Sequence, residues 1–538
     1  MSPKVRVGRQ ITSRKLLASA AVLAASSLLL GACSSSSSPT PKSTAAPKGP
    51  ATVTVAFPNA VDALDPTTGT TFVGRIVFAN MCLGLYGINA QEQVTPVLAT
   101  ALPTISNGGL LYTIHLRSGV KFNDGTEFNA QAVKISLDRD KTLPTSARAV
   151  ELKALQSVSV VNSTTVELHL SQPYSPLTTV LADRSGMVMS PKALASEGAN
   201  FSHDPVCVGP YAFQSRPSLN QINLAASKYF YGPKPTAGKL VFTVITDPAT
   251  CYADLLSGAI NVAAPGCLAP NDYNLLTKNT SYVTKSLVSP GYGGLDINVS
   301  NGAGYNKPAT PASNPLATHP TLREALALTI NRATINRVVD DGIDEPSCGP
   351  ISPLSPYYTK PTCPGPNVAE AKSLVAASGV ATPINLTLMV PTGSLNVEEG
   401  EIIAADAKPA GFNITVQPTE FTTALTTAAA GSYQLFTIGW SGRVDPDQDT
   451  TAFYTQGNPD DYTGQGPASI MTPLANADLT TNIASRKALY AQAVKAMIQW
   501  GGIVYIDAAT NQLAYQKAVS GVLMTPDGLL HFDPAVLS

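Results

Sequence analysis

Charge is scarce in this chain: 13% of its 538 residues are Asp, Glu, Lys or Arg, and their formal sum is −1. That balance leaves no electrostatic footprint for nucleic acid. Histidine is sparse too. His115, His169, His203, His319 and His531 are scattered and no C-x-x-C pair accompanies them, so no metal site is expected. No G-x-S-x-G elbow, phosphate-binding loop or H-E-x-x-H helix occurs. The commonest hydrolase, nucleotide-binding and metalloprotease signatures are therefore missing. Beyond residue 30 there is no run of about 18 apolar residues, which argues against a spanning helix there. Only two tryptophans occur.

A processing signal comes first. Lys4, Arg6, Arg9, Arg14 and Lys15 precede the apolar run Leu16–Leu30, which is short for a membrane span and suited to a signal peptide. Leu30-Gly31-Ala32-Cys33 matches a bacterial lipobox, with Cys33 as the lipid acceptor. The Ser-, Pro- and Ala-rich stretch to Pro50 reads as a flexible tether. Loss of residues 1–32 removes five cations from a net −1, leaving −6. The remaining chain is long enough for two to four domains with real cores. Six cysteines follow Cys33, and an even count in an exported chain favours disulfides. Fifteen connectivities are open to six cysteines. The short loops suggest Cys251–Cys267 and Cys348–Cys363, leaving Cys82 with Cys207.

Periodicity gives the fold class. Thr52–Phe57 alternates and predicts a strand; Asp62–Pro66 turns the chain, and Ile76–Leu85 predicts a helix. Leu111–Leu116 predicts a second strand and Asn123-Asp124-Gly125 a tight turn. Asn129–Arg139 has helical spacing, with Ala132, Val133 and Leu137 on one side. Later, Asn367 and Glu370 stand at capping-box spacing, and the helix they open stops at Gly379. Strands at Ile384–Val390, Asn413–Gln417 and Tyr433–Ile438 alternate with helices at about Val397–Ala410 and Thr422–Ala429. A helix at Arg486–Trp500 and a strand at Ile503–Asp507 follow. Such alternation predicts an α/β fold with a mostly parallel sheet.

One stretch is more specific. Leu116–Phe122, Asp124-Gly125-Thr126 and Ala132-Val133 through Leu137-Asp138-Arg139 resemble the signature of the extracellular solute-binding proteins of family 5, the peptide- and nickel-type receptors of ABC importers. Met189–Leu194, Leu255–Val262, Leu295–Asn298 and Leu322–Arg332 agree in order, as does Pro205–Tyr211 with Cys207 in place of a glycine. The resemblance spans Ala51 to Ser538. It implies a two-lobed, periplasmic-binding-protein-like type II α/β fold with an extra α/β subdomain in the N-terminal lobe. The implied division is a signal peptide at 1–32, a tether at 33–50, an N-terminal lobe at 51–292 with the extra subdomain at about 83–203, a C-terminal lobe at 293–503 and a return at 504–538. Hinges would fall near Gly293–Asn298 and Gly501–Asp507. The implied protein is a lipid-anchored monomer on the extracytoplasmic face of the membrane. It has no cofactor and no enzymatic activity. It would capture a short peptide or peptide-like solute for ABC permease and ATPase subunits. Another solute (an oligosaccharide, a metal chelate, haem) and an exported hydrolase are the alternative readings.

Binding candidates centre on Gly439–Asp449, the loop after strand Tyr433–Ile438, since ligands in open α/β sheets sit beyond the carboxyl ends of strands. Trp440 reads as a stacking wall or as core packing; Ser441, Gly442, Arg443 and Asp445 complete the set. In peptide-binding members this loop resembles GWxADYPDP, whose first Asp pairs with the peptide's ammonium. Arg443 stands at that position here, with one residue fewer before Asp445-Pro446. A guanidinium favours a carboxylate, phosphate or polyhydroxyl group instead; a salt bridge to Asp445 or Asp447 is the alternative. Thr70, Thr71 and Phe72 precede a helix whose amides suit an anion or a simple cap. Tyr292, Thr392 and Ser394 are further candidates, while Arg323, Asn331 and Arg332 read as structural.

Overall fold

The computed structural model describes residues 51–533. The signal segment, Cys33 and the tether to Pro50 lie outside the described residues. None of the described helices is long and apolar enough to cross a membrane.

Two long antiparallel strands, Tyr282–Ile297 and Ile503–Gln516, run through the middle of an 11-stranded sheet. On one side Leu435–Trp440 pairs antiparallel with the first of them, then Ile384–Pro391 and Phe412–Thr419 continue in parallel. On the other side Val262–Ala263, Thr52–Phe57 and Lys239–Val244 are mutually parallel, and Gln221–Ala226 and Tyr211–Ser218 close the edge as antiparallel strands. The expected parallel order therefore holds inside each half only. The centre is antiparallel because the chain passes between the halves once in each direction.

Each half has its own core, Val55, Ile76 and Leu240 on one side and Leu295, Leu326 and Leu388 on the other. A fully buried aliphatic or Phe side chain contributes about 1.5–3 kcal/mol, which offsets much of the cost of ordering the residues that carry it. A third body carries a four-stranded antiparallel sheet, with Leu111–His115 and Thr165–Leu170 as its inner strands. Helix Ala130–Thr142 packs on it, and Ile114, Phe122, Val133 and Leu168 form its core. Asn129 caps that helix by accepting from Ala132 N at 3.1 Å. The turn before it needs Gly125, whose φ is +85° and whose added Cβ would meet the Tyr229 ring at 2.9 Å.

Several boundaries differ from the sequence expectations. The helix placed at Ile76–Leu85 is Phe72–Met81, because Thr71 caps it earlier. The last sheet strand of the second half is Leu435–Trp440, two residues later than expected, because Gly439 and Trp440 find partners in Gly293 and Tyr292. The strand begun at Ile503 continues to Gln516 through the polar Thr510-Asn511-Gln512, which pair with Val288, Leu287 and Ser286. Three disulfides close: Cys251–Cys267 and Cys348–Cys363, the short loops, and Cys82–Cys207, the remaining pair.

Candidate ligand-binding cleft

Three stretches far apart in sequence, Thr70–Phe72, Tyr292 and Ile438–Ser441, meet around an inner chamber of about 590 Å³. Each wall has a local cause. Trp440 ends its strand opposite Tyr292, and edge-on packing against Phe453 at 4.8 Å holds the indole. Its Nε1 donates to Asp449 Oδ1 at 3.0 Å, and the Arg443 guanidinium stacks 4.4 Å from the ring centroid. Tyr292 packs edge-on against Tyr505 at 4.9 Å. The chamber adjoins a wider cleft of about 2000 Å³, with Thr70, Leu425 and Tyr462 lining both.

Thr71 Oγ1 caps the Phe72–Met81 helix and donates to Asp62 Oδ1 at 2.7 Å. Asp62 Oδ2 accepts from Thr70 N and Oγ1 at 2.7 and 2.9 Å. Of the two readings of this helix start, the simple cap holds: Thr71 accepts from Gly74 N, and Asp62 takes the Thr70 and Thr71 donors just ahead of it. Thr71 and Phe72 remain as chamber walls.

Arg443 does not line this chamber, and it bonds neither Asp445 nor Asp447. Its Nε donates to Asp183 Oδ2, while Asp183 Oδ1 accepts from Arg75 Nε at 3.3 Å. Arg75 Nη2 reaches Asp527 Oδ2 at 2.7 Å, and Ser441 Oγ accepts from Arg75 Nη1 at 3.1 Å and Arg443 Nη1 at 3.3 Å. Burial alone would raise the Asp183 pKa; Arg443, Arg75 and Arg184 hold it well below the usual carboxylate range. Burial, with Arg148 beside it, pushes Arg184 down to about 9. Arg443 also lines a second cavity of about 690 Å³ with Gln448 and Tyr86. Gly442 lets the loop lie on the backbone of 290–291: its φ is +72° and an added Cβ would stand 2.3 Å from Gly291 N.

Asp445 lines neither cavity. Arg486 grips it in a bidentate pair at 2.8 and 2.8 Å, flanked by Tyr357 and Tyr490. Asp447 ties the same loop to the third body through Tyr174 Oη at 2.5 Å and Lys153 Nζ at 3.3 Å. Arg323 and Arg332 donate to backbone carbonyls of Trp500 and Tyr505, a structural use.

The sequence candidates Trp440, Ser441, Thr71, Phe72 and Tyr292 are therefore brought together, with Gly442 and Arg443 as the wall behind them. Thr392 and Ser394 are not: they line a separate cavity with Asp340, Asp344 and Glu399. Sequence reading missed Asp296 and Asp460, which line the inner chamber, and the Arg75–Asp183 pair behind it. Two of these carried a readable signal. Arg75 is the one charge in an otherwise uncharged helix, FVGRIVFANM, and Asp296 sits between the core residues Leu295 and Ile297.

The separate cavity carries a pH dependence. Asp340, Asp344 and Asp507 each offer a carboxylate oxygen within 4.8 Å of the others, and Asp507 Oδ1 accepts from Gly293 N between the crossing strands at 3.0 Å. Burial first, and mutual repulsion second, push Asp340 to about 8, Asp344 to about 7 and Glu399 to about 8. Folded pKa values above the unfolded value of about 4 mean that the folded state binds extra protons between about pH 4 and 8. The stabilising contribution is complete below about pH 4 and is lost as pH rises through the folded values. The melting temperature is expected to fall from about pH 5 to 8.5, less steeply in an Asp340→Asn/Asp344→Asn double variant. Equal slopes in a thermal-melt series would refute this assignment.

The family model described as bacterial extracellular solute-binding proteins, family 5 (middle), matches residues 93–461. The glutathione-binding protein GsiB of Pectobacterium atrosepticum is 27% identical over 512 residues, covering 90% of this chain and 94% of that protein. The oligopeptide-binding protein AppA of Bacillus subtilis, solved with a nonapeptide, superposes with a TM-score of 0.81 at 19% identity, covering 89% of this chain and 97% of AppA. NikA of Staphylococcus aureus, solved with Ni(L-His)2, gives a TM-score of 0.79 at 18% identity over 90% of this chain and 98% of NikA. At such identities the structural likeness concerns the fold.

Proposed function

The chain belongs to the bacterial extracellular solute-binding proteins of family 5, and from that premise we propose that its cargo is a short peptide or peptide-like solute of about glutathione's size. Members of the family are solute-binding components of ABC importers, not enzymes. What carries the cargo reading is the inner chamber: an aromatic-walled recess off the wider cleft, where Trp440, Tyr292 and Phe72 converge from separate parts of the chain. Apolar walls with a few fixed polar groups are what a small-ligand site requires. The glutathione-binding relatives supply the size and class.

In this reading residues 51–292 and 504–538 form one lobe, with the extra subdomain at about 83–203, and 293–503 form the other. Support comes from the two crossing strands, where Gly293 and Asp507 meet. Thr71 and Phe72 already face Trp440 and Ser441, the closed arrangement that would shield a solute from water. Arg443 acts as a wall behind the chamber, stacked on Trp440 and paired with Asp183. Cys33 would hold the mature chain, as a monomer, to the outer face of the membrane by a lipid.

Native mass spectrometry of the mature chain purified from membranes tests both parts. A diacylglyceryl mass on Cys33 and a co-purified peptide-sized ligand are expected; a bare chain loaded with a sugar or haem would overturn the reading. Titration with reduced glutathione adds the residue test. Trp440→Ala should weaken binding by about 10- to 30-fold, roughly 1.5–2 kcal/mol, the usual loss for a buried aromatic anchor. Unchanged affinity would remove Trp440 from the site.

A further inference from the structure

Asp296 is 4% exposed and lines the inner chamber. Among the described residues neither carboxyl oxygen receives a hydrogen bond, whereas most other buried carboxylates are gripped: Asp183 by two arginines, Asp445 by Arg486, Asp527 by Arg75. Its strand neighbours Leu295 and Ile297 point to the opposite face, into the core, so Asp296 is the side chain that this part of the strand turns toward the chamber. A buried, unpaired carboxyl is costly.

The surroundings select the partner. Asp460 also lines the chamber, but Arg148 and Arg184 act on it and balance its charge. Among the described residues the one ionisable acid that acts on Asp296 is Asp461, itself pushed up to about 8 by burial, and no cation acts on it; Tyr292, Tyr433, Tyr454, Tyr462 and Tyr505 are the titratable hydroxyls around it. The chamber therefore presents an unbalanced acidic group beside the rings of Trp440, Tyr292 and Phe453. A divalent metal would want about six oxygen ligands, which aromatic walls do not supply. An organic monocation gains from both features, a carboxylate to pair with and ring faces to stack on.

We infer that Asp296 makes the inner chamber a subsite for a protonated amine, so that the cargo enters with a free ammonium group directed at this carboxyl. This rests on the chamber being the solute site, as proposed above. Burial and Asp461 hold the Asp296 carboxyl well above the usual carboxylate range, which keeps the empty chamber from carrying a bare charge.

The test uses the mature wild-type chain and two probes of one shape, phenethylamine and the uncharged 2-phenylethanol, followed by calorimetry at neutral pH. The amine is expected to bind at least about tenfold more tightly, and Asp296→Asn, isosteric and uncharged, should abolish that preference without lowering the melting temperature. Equal binding of the two probes by the wild type, binding of neither, or a preference that survives in Asp296→Asn overturns the inference. Should Asp296→Asn fail to fold, the wild-type comparison decides alone. A second arm uses the thiol tripeptide proposed above and its N-acetyl form. If the amine preference holds and neither tripeptide binds, the cargo reading falls and the subsite stands. If both tripeptides bind equally, the cargo reading stands and the subsite falls.

Discussion

Replacing Asp183 by alanine is expected to destabilise the protein by about 3–5 kcal/mol, the cost of stripping a buried charge cluster of its central partner. Asp183 accepts from Arg75 at 3.3 Å and from Arg443 through its other oxygen, with Arg184 Nε 3.9 Å away. All four side chains are buried. Without Asp183, the Arg443 guanidinium loses the one carboxylate it pairs with among the described residues, and Arg184, already pushed down to about 9, loses a balancing charge. Arg75 keeps Asp527 at 2.7 Å. That asymmetry supplies a control. An Asp183→Leu/Arg443→Met double variant removes one acid and one base together, and it should recover most of the loss, because a well-packed apolar pair often replaces a buried ion pair without penalty. Urea unfolding of the wild type, the single and the double variant reads the cycle. A loss below about 1 kcal/mol in Asp183→Ala would mean that the cluster is hydrated and adds little.

The same cluster shows how far the sequence could be read. Local signals came through. Asn367 caps the helix it was expected to cap, and the alternation of Thr52–Phe57 is a strand of the sheet. The exceptional charge at Arg443 was visible as well. Its partner was not, because Asp183 lies 260 residues upstream and nothing near either residue marks the pair. Pairing across the sheet likewise decided what local pattern could not. Trp440 reads as a loop residue after an apolar run until Tyr292 stands opposite, and Thr510-Asn511-Gln512 reads as a break until the first crossing strand covers it. Thr392 and Ser394 show the reverse error. They open a helix after a strand, the right local setting for a binding loop, yet they fall in another cavity. Asp296 was overlooked although an acid between two core residues is a signal, because the signal does not say which side chains face it across the chamber.

Losing the Cys82–Cys207 bridge should be the largest single loss among the three disulfides, about 4–5 kcal/mol in a Cys82→Ala/Cys207→Ala variant against about 3 kcal/mol for Cys251→Ala/Cys267→Ala. The argument is loop closure. The first bridge spans 125 residues and the second 16, and a cross-link restricts an unfolded chain more when it closes a longer loop. What lies within the long loop matters too. Leu83 N donates to Val208 O at 2.7 Å where the chain leaves and returns, and nearly all the third body's core, from Leu83 to Val188, is strung between them. Both cysteines are buried in the neighbouring core. The native contacts persist without the sulfur bridge, so the loss acts on the unfolded state, and alanine avoids burying two hydroxyls. Urea midpoints measured for the oxidised wild type and the two double variants give the comparison. Equal losses for the two pairs would show that loop length is not what sets their value, and a loss below about 1 kcal/mol for Cys82–Cys207 would show that the core alone holds the third body in place.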